Sequence, residues 1–269
     1  MWEYGLFDFL LHPYLRSSDD PAATRRQLMT QAKARGITGM TVDFRDLSDD
    51  FTSALSEVGM TLHTVYYIGD LIHGNDLENA LVAIDRCAQA GAKNIMFVAG
   101  FSLPGEKAAD LRRQGAPLLR ECGRRCRAAG MTATVEDYGG QLTPYSHPED
   151  VLALATDAEL SVVFDTGNFM YHRRDALEAW EILRPLTVQI HAKDLSHAPV
   201  PGATEAKTPC GDLLYPTPIG DGDLGAAKLF RKIRDDGFSG IVTLENDGYA
   251  DLARFEERSL AFFNTIEKE

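Results

Sequence analysis

The chain has 269 residues and a formal net charge of −13 at pH 7. A surface this negative repels nucleic acid and anionic membrane, so both are disfavoured as partners. The composition, 44% hydrophobic and 25% charged, is that of an ordinary globular protein, and no apolar run reaches the roughly 18 residues of a membrane span. The amino terminus lacks the basic leading region of a secretory signal, so we expect a cytoplasmic protein.

Short strand-like runs alternate with longer helical patterns along the chain. The strands, rich in β-branched or apolar residues, are predicted at 3–10, 37–44, 61–68, 94–100, 132–137, 161–165, 187–192 and 240–245. The helices are predicted near 21–35, 49–58, 75–90, 106–129, 147–156, 175–184, 225–236 and 251–267. Four helices are followed by a glycine where a left-handed terminator belongs, at Gly36, Gly59, Gly91 and Gly130.

Eight βα units with short helix-to-strand returns indicate an α/β protein folded as one (β/α)8 TIM barrel, which we expect to form a single domain over residues 1–269. A doubly wound open sheet is the alternative, but no glycine-rich phosphate loop follows the first strand. In (β/α)8 barrels the active site lies at the carboxyl ends of the strands and in the loops that follow them. Functional residues are therefore expected at those ends.

Four consecutive predicted strands end in a side chain that can bind a hard metal ion. These residues are Glu136, Asp165, His191 and Glu245. Strand alternation lets all four point into the barrel together. Three carboxylates and an imidazole would repel one another unless a cation lay between them, and this donor set suits Mn²⁺, Mg²⁺ or Co²⁺. The pattern predicts one divalent ion, most readily Mn²⁺, with Zn²⁺ as a further option; the alternative is that each acid separately caps a helix or loop.

The same strand ends carry motifs that resemble a known family. The motifs are FDTGN (164–168), IHAKD (190–194), PIGDGDL (218–224) and TLEN (243–246). With the order Glu, Asp, His, Glu on strands five to eight, they resemble the xylose isomerase-like TIM-barrel superfamily of sugar isomerases, epimerases and related dehydratases. The resemblance implies that the four strand-end residues bind the metal and that Glu136 and Glu245 also transfer protons. It also implies a homodimer or homotetramer, since both are common in the superfamily.

The implied activity is that of a divalent-metal-dependent sugar isomerase or epimerase. A metal that binds a carbonyl oxygen and the neighbouring hydroxyl oxygen acidifies the C–H between them and stabilises the resulting enediolate. Glu136 and Glu245 can then remove the proton and return it. If a hydroxyl lies one carbon further along, the same intermediate expels it. A dehydratase acting on a keto polyol, of the inosose or dehydroshikimate type, is therefore the alternative.

Two further residues at these strand ends are candidate substrate contacts. Asn168, the last residue of the DTGN motif, is expected to bind a sugar hydroxyl. Lys193 shares strand parity with His191 and would lie one step higher, where its ammonium group can hold a substrate oxygen or protonate a leaving hydroxyl. A salt bridge from Lys193 to Asp194 or Asp221 is the alternative interpretation.

The third predicted strand, 61–68, offers two more candidates. His63 lies early in this strand, where a buried interior histidine and a substrate contact are equally consistent with the sequence. Tyr67 has the same parity and lies nearer the end of the strand. We expect the ring of Tyr67 to form a wall for a sugar ring.

The segment 196–218 is longer than most βα connections and rich in proline and glycine, so we expect it to fold over the site or to form part of a subunit interface. It has no arginine, although an arginine follows the strand-seven histidine in the tagatose-type epimerase branch. The HAKD form is closer to the inosose and dehydroshikimate dehydratase side of the resembled superfamily.

Two other functions are less consistent with the sequence. An abasic-site endonuclease of the same superfamily would need histidines on strands three and four and a basic face for DNA, but strand four has no histidine and the net charge is −13. A non-catalytic sugar-binding barrel is disfavoured by the complete ligand set. The expected partner is a small sugar or keto polyol.

Overall fold

The computed structural model describes residues 2–139 and 143–269. Its strands are β1 (Glu3–Phe7), β2 (Gly39–Asp43), β3 (Thr61–Ile68), β4 (Asn94–Val98), β5 (Thr132–Glu136), β6 (Ser161–Asp165), β7 (Thr187–Ala192), β8 (Asp194–Ser196), β9 (Ala206–Lys207), β10 (Leu213–Thr217) and β11 (Ile241–Leu244). Its α-helices are α1 (His12–Arg16), α2 (Pro21–Arg35), α3 (Asp49–Val58), α4 (Leu77–Gln89), α5 (Ala108–Ala128), α6 (Pro148–Ala158), α7 (Asn168–Tyr171), α8 (Ala176–Leu183), α9 (Ala226–Asp235) and α10 (Leu252–Lys268).

Eight of these strands are parallel and close into a barrel in the order β1-β11-β7-β6-β5-β4-β3-β2. The longer helices surround it, so the predicted (β/α)8 barrel is confirmed. Among the described residues, no helix combines the length and apolar character that a bilayer crossing requires.

Local sequence signals set the ends of the helices. The Ser48 side chain accepts a hydrogen bond from the backbone N–H of Phe51 at the start of α3. Gly36 and Gly59, with φ of +112° and +72°, end α2 and α3 in the left-handed conformation that glycine adopts without steric cost. The short connections from helix to strand bring each strand into the barrel in the same direction. The carboxyl ends of all eight strands therefore lie at one mouth of the barrel.

Along the last four barrel strands, side chains point alternately towards the surrounding helices and into the barrel. Val135, Phe164, Ile190 and Leu244 each precede a predicted ligand and are fully buried in the apolar layer between strands and helices. Phe164 packs edge-on against Trp180 of α8, with ring centroids 5.3 Å apart. The neighbouring residue on each strand therefore faces the opposite way, into the barrel.

Strand β3 contains a bulge that changes this alternation. Met40 of β2 pairs with Leu62 and Thr41 pairs with Thr64, so His63 has no partner in the ladder. Beyond the bulge, Thr64 and Tyr66 face the interior and Tyr67 faces the helices. The sequence could not show this reversal, because the bulge depends on how β3 pairs with β2.

The predicted loop 196–218 contains a small antiparallel sheet. Strand β10 pairs antiparallel with β8 on one side and with β9 on the other. The sheet is fastened to the segment after β11, since the backbone N–H of Thr204 donates to the Gly248 carbonyl (2.8 Å) and that of Ala250 donates to the Gly202 carbonyl (2.9 Å). The insertion thus forms one wall of the barrel mouth.

Candidate metal centre and active-site cavity

The four strand-end residues predicted from the sequence come together at the barrel mouth. Glu136, Asp165, His191 and Glu245 each place one donor atom within 4.8 Å of the other three. Asp165 and His191 are fully buried, and only a small part of either glutamate is exposed. Such a group of carboxylates and an imidazole has the composition of a divalent-metal site.

The donor atoms of this group are ones that a cation would satisfy. Glu136 Oε1, Asp165 Oδ2, His191 Nδ1 and Glu245 Oε2 are buried, and none has a hydrogen-bond partner within the described part of the chain. His191 Nδ1 lies 3.4 Å from Glu245 Oε2 and is also close to Glu136 Oε1. Unpartnered buried polar atoms are costly, so their convergence fits a metal ion better than separate capping roles.

The backbone holds the Asp165 carboxylate in place. Asp165 Oδ1 accepts hydrogen bonds from the backbone N–H groups of Gly167 (2.7 Å) and Asn168 (2.9 Å) at the start of α7. These bonds occupy one oxygen of the carboxylate and leave Oδ2 directed at the other three ligands. The DTGN sequence thus supplies both a candidate ligand and the turn that orients it.

Burial shifts the pKa values of the group towards neutral forms. It lowers the pKa of His191 to about 4 against the opposing influence of Glu245 and Asp165, which keeps a lone pair on the imidazole at neutral pH. Burial also raises the pKa of Glu245 to about 7, with Lys193 opposing the rise. The pKa of Glu136 is raised by burial and by the Asp165 charge.

Lys193 joins this group directly. Its Nζ atom lies 2.9 Å from Asp165 Oδ2, outside hydrogen-bond geometry, and 2.7 Å from Glu245 Oε1. Burial lowers the pKa of Lys193, but the two carboxylates outweigh it and hold that pKa well above its usual range. The ammonium group therefore stays charged at the floor of the cavity.

The alternative partners considered for Lys193 are engaged elsewhere. Asp194 accepts backbone N–H bonds from Gly220 (2.9 Å) and Gly222 (3.2 Å). Asp221 pairs with Arg258 at 2.6 Å. Neither acid contacts the ammonium group, which lies against Asp165 and Glu245 instead.

Asn168 also lies where the sequence predicts. It is buried at the cavity and accepts a hydrogen bond from Lys193 Nζ at 2.9 Å through its Oδ1 atom. Its Nδ2 atom donates to the Asp137 carbonyl at 2.7 Å. Asn168 can therefore orient Lys193 as well as reach a substrate.

His63 and Tyr67 are not brought to the cavity. His63 is fully buried at the opposite end of the barrel, where its Nε2 atom lies 2.9 Å from Glu3 Oε1. The Tyr67 hydroxyl donates to Asp76 at 2.6 Å, and its ring packs against Phe97. The bulge in β3 explains the difference, since it turns Tyr66 rather than Tyr67 towards the cavity.

A cavity of about 740 Å³ opens above the four candidate ligands. Aromatic side chains that were not assigned from the sequence form much of its wall: Tyr66, Tyr138 and Tyr171. Phe7, at the end of β1, packs edge-on against the His191 ring, with centroids 4.7 Å apart. The volume suits a small organic ligand, and aromatic walls above polar groups are typical of such sites. Their position in the segments that follow β5 and β6 is the sequence signal that could have identified Tyr138 and Tyr171.

Comparison with known proteins identifies the family of the chain. A profile described as a xylose isomerase-like TIM barrel matches residues 29–264. The chain belongs to the xylose isomerase-like TIM-barrel family. A search of curated sequences finds no significant match.

Solved structures share the fold of this family member at low sequence identity. A xylose isomerase-like TIM barrel protein from Mycobacterium smegmatis, in complex with magnesium, is 19% identical with a TM-score of 0.67 and covers 92% of this chain and 90% of its own. The 3-keto-D-glucoside 4-epimerase from E. coli is 17% identical with a TM-score of 0.72, over 98% and 100%. A probable 3-DHS dehydratase from Bacillus anthracis is 14% identical with a TM-score of 0.74, over 97% and 98%.

Proposed function

We propose that the protein is a divalent-metal-dependent isomerase or epimerase of a small keto sugar. The observation that carries the proposal is the convergence of three carboxylates and one histidine within 4.8 Å at the cavity floor. The ligands would be Glu136, Asp165, His191 and Glu245. A magnesium complex and a keto-sugar epimerase among the structural neighbours support the same class of chemistry.

A divalent ion bound there supplies positive charge that stabilises the negative charge developing on the substrate oxygens. The oxygen-rich donor set favours Mn²⁺, with Mg²⁺, Co²⁺ or Zn²⁺ as alternatives. Lys193 and Asn168 hold substrate oxygens at the floor, and Tyr66, Tyr138 and Tyr171 exclude water around the sugar.

Glu136 and Glu245 are the proposed acid and base. Two strands, β6 and β7, separate them in the barrel, so the two carboxylates reach the substrate from different directions. One removes the proton next to the carbonyl and forms an enediolate, and the other returns a proton to it. A pKa raised towards neutrality, as burial produces at Glu245, suits a group that must both take and give a proton.

Hydrogen exchange in heavy water tests this assignment. Incubation of the Mn²⁺-loaded protein with a panel of ketoses, inososes and 3-dehydroshikimate is expected to place deuterium next to the carbonyl of the true substrate. Glu136→Gln and Glu245→Gln are each expected to slow this exchange by about a hundredfold or more, because each loses one proton-transfer group.

The matched control for this experiment is Glu57→Gln, which removes an exposed carboxylate on α3. It is expected to leave exchange unchanged. Exchange that persists in both Glu136→Gln and Glu245→Gln would show that other groups transfer the proton.

Dehydration of a keto polyol is the second candidate, and Lys193 is the observation that favours it. A buried, charged ammonium group 2.7 Å from Glu245 can protonate a hydroxyl as that hydroxyl leaves the enediolate. A probable dehydratase is also among the structural neighbours. Mass analysis of products separates the two reactions, since dehydration loses one water and isomerisation keeps the mass.

Domain organisation, cellular location, assembly and partner belong to the same proposal. We propose a single domain over residues 1–269 that works in the cytoplasm as a homodimer or homotetramer on a small sugar or keto polyol. The net charge of −13 supports the exclusion of nucleic acid and anionic membrane as partners.

A further inference from the structure

A glutamine crosses the interior of the barrel directly beneath the candidate metal ligands. Gln189 lies on β7, two residues before His191, and is fully buried. Its side chain reaches Thr64 of β3 and Asn94 of β4. Three strands separate β7 from β3 in either direction around the barrel, so the glutamine links opposite walls. An amide in this position is costly unless it is fully hydrogen-bonded.

All four hydrogen-bonding positions of the Gln189 amide are matched. Its Oε1 atom accepts from Thr64 Oγ1 (2.6 Å) and Asn94 Nδ2 (2.9 Å). Its Nε2 atom donates to Thr243 Oγ1 (3.1 Å) and lies 3.2 Å from His191 Nε2. A neutral amide offers two donors and two acceptor sites, so each of its four sites has a partner in this orientation.

The contact with His191 connects this network to the metal site. His191 directs Nδ1 at Glu136 and Glu245 and turns Nε2 towards Gln189. An imidazole that binds a cation through Nδ1 carries its proton on Nε2, and that proton needs an acceptor.

Gln189 can provide that acceptor. Rotation of its amide presents Oε1 to His191 instead of Nε2. The other partners tolerate the exchange, because the hydroxyls of Thr64 and Thr243 both donate and accept and the amide of Asn94 can rotate as well.

We infer that Gln189 is a positioning residue for the metal site. It holds the His191 ring with Nδ1 directed at the carboxylates, and it accepts a hydrogen bond from Nε2–H when a cation binds at Nδ1. The inference rests on the metal site of the proposed function. The competing interpretation is that the network only fills the barrel interior.

Metal binding by the chelator-treated protein, measured by calorimetry with Mn²⁺, separates the two interpretations. Gln189→Leu keeps the approximate size of the side chain and removes the hydrogen-bond acceptor. Its Mn²⁺ dissociation constant is expected to rise roughly 10- to 100-fold, the range for removing a residue that hydrogen-bonds a metal-binding histidine. Thr64→Val is the control, because it removes a bond of the same network without touching His191. It is expected to change the constant by less than about threefold.

Gln189→Glu is the rescue variant. The side chains of Thr64, Asn94, Thr243 and a metal-bound His191 can each donate a hydrogen bond, and a carboxylate accepts about four. Metal affinity in this variant is expected to stay near that of the unaltered protein. Melting curves of the metal-free variants report any loss of stability separately from the loss of affinity.

Nitrogen-15 spectra of the histidines give a readout that does not depend on how the variants fold. In the Mg²⁺-loaded, unaltered protein, the His191 proton is expected on Nε2 and not on Nδ1. A proton on Nδ1 would overturn the inference. So would a Gln189→Leu variant that binds Mn²⁺ as tightly as the unaltered protein. Equal weakening of Mn²⁺ binding in Gln189→Leu and Thr64→Val would also overturn it. If the unaltered protein binds no divalent ion, the metal site and this inference both fail, whereas normal metal binding without substrate exchange removes only the proposed reaction.

Discussion

The ammonium group of Lys193 contacts two of the four candidate ligands, Asp165 and Glu245, and the amide of Asn168. In this position it can bind a substrate oxygen during isomerisation or protonate a leaving hydroxyl during dehydration. Strand parity with His191 predicted its direction from the sequence. Its partners could not be predicted, because they come from two other segments of the chain, 165–168 and the residue after β11.

Lys193→Met is expected to reduce turnover by about a hundredfold or more, since it removes the one ammonium group that the described structure places against these ligands. Mn²⁺ binding is expected to remain, because the four ligands are unchanged. Steady-state kinetics and calorimetry measure the two effects. Lys207→Met, which removes an exposed ammonium group on β9, is the control and is expected to be fully active. Turnover by Lys193→Met at the control's rate would show that the ammonium group has no part in the reaction.

Strand parity identified the four candidate ligands but misplaced Tyr67. The four candidate ligands were found because each ends a strand with the same parity. Tyr67 was assigned to the cavity by the same rule, but the bulge at His63 turns Tyr66 inward instead. Alternation is a local property, whereas a bulge is set by pairing with a neighbouring strand.

Among the secondary-structure elements, the segment from β8 to the start of α9 is held by one buried carboxylate. Asp194 accepts backbone hydrogen bonds from Gly220, Gly222, Leu224 and Leu195. A Cβ atom at Gly222 would lie 2.2 Å from Asp194 Oδ1, so the close approach requires glycine there. The PIGDGDL motif thus forms a tight backbone cradle around a carboxylate and not a phosphate loop.

Asp194→Ala is expected to lower the free energy of unfolding by about 2–4 kcal/mol, because it leaves several N–H groups without their acceptor. Asp221→Ala is the matched control in the same segment, since it removes only the exposed ion pair with Arg258 and is expected to cost about 0–1 kcal/mol. Urea unfolding followed by circular dichroism measures both. Equal losses in the two variants would argue against the anchoring role of Asp194.

The elements themselves were largely predictable. The predicted bounds of three strands and two helices, 61–68, 161–165, 187–192, 21–35 and 49–58, agree with the structure to the residue. Apolar periodicity, capping residues and terminal glycines are local signals, so they can be read directly. The sheet formed by β8, β9 and β10 was predicted only as a long loop, because its short strands carry no apolar alternation of their own.

For the barrel as a whole, a bound divalent ion would join four strands, β5, β6, β7 and the strand before Glu245, and should stabilise the folded state. At a free Mn²⁺ concentration of 100 times the dissociation constant, the expected gain is about 2.7 kcal/mol. For a chain of this size that corresponds to a rise of roughly 5–10 °C in melting temperature.

Differential scanning fluorimetry with and without a chelator measures this rise. The control is the double variant Asp165→Asn with His191→Asn, which removes two ligands and is expected to melt at the same temperature in both conditions. A melting temperature of the unaltered protein that does not respond to Mn²⁺, Mg²⁺, Co²⁺ or Zn²⁺ would contradict the metal site.

The sequence by itself determined the alternation of strands and helices, hence the barrel, and the four strand ends that meet at its mouth. Those features follow from local periodicity and from a topology that sends every parallel strand in the same direction. Only the tertiary structure decided which tyrosine of β3 faces the cavity, which acids hold Lys193, and that Gln189 spans the barrel to reach Thr64 and Asn94. These depend on strand pairing and on contacts across the barrel, between residues that lie far apart in the chain.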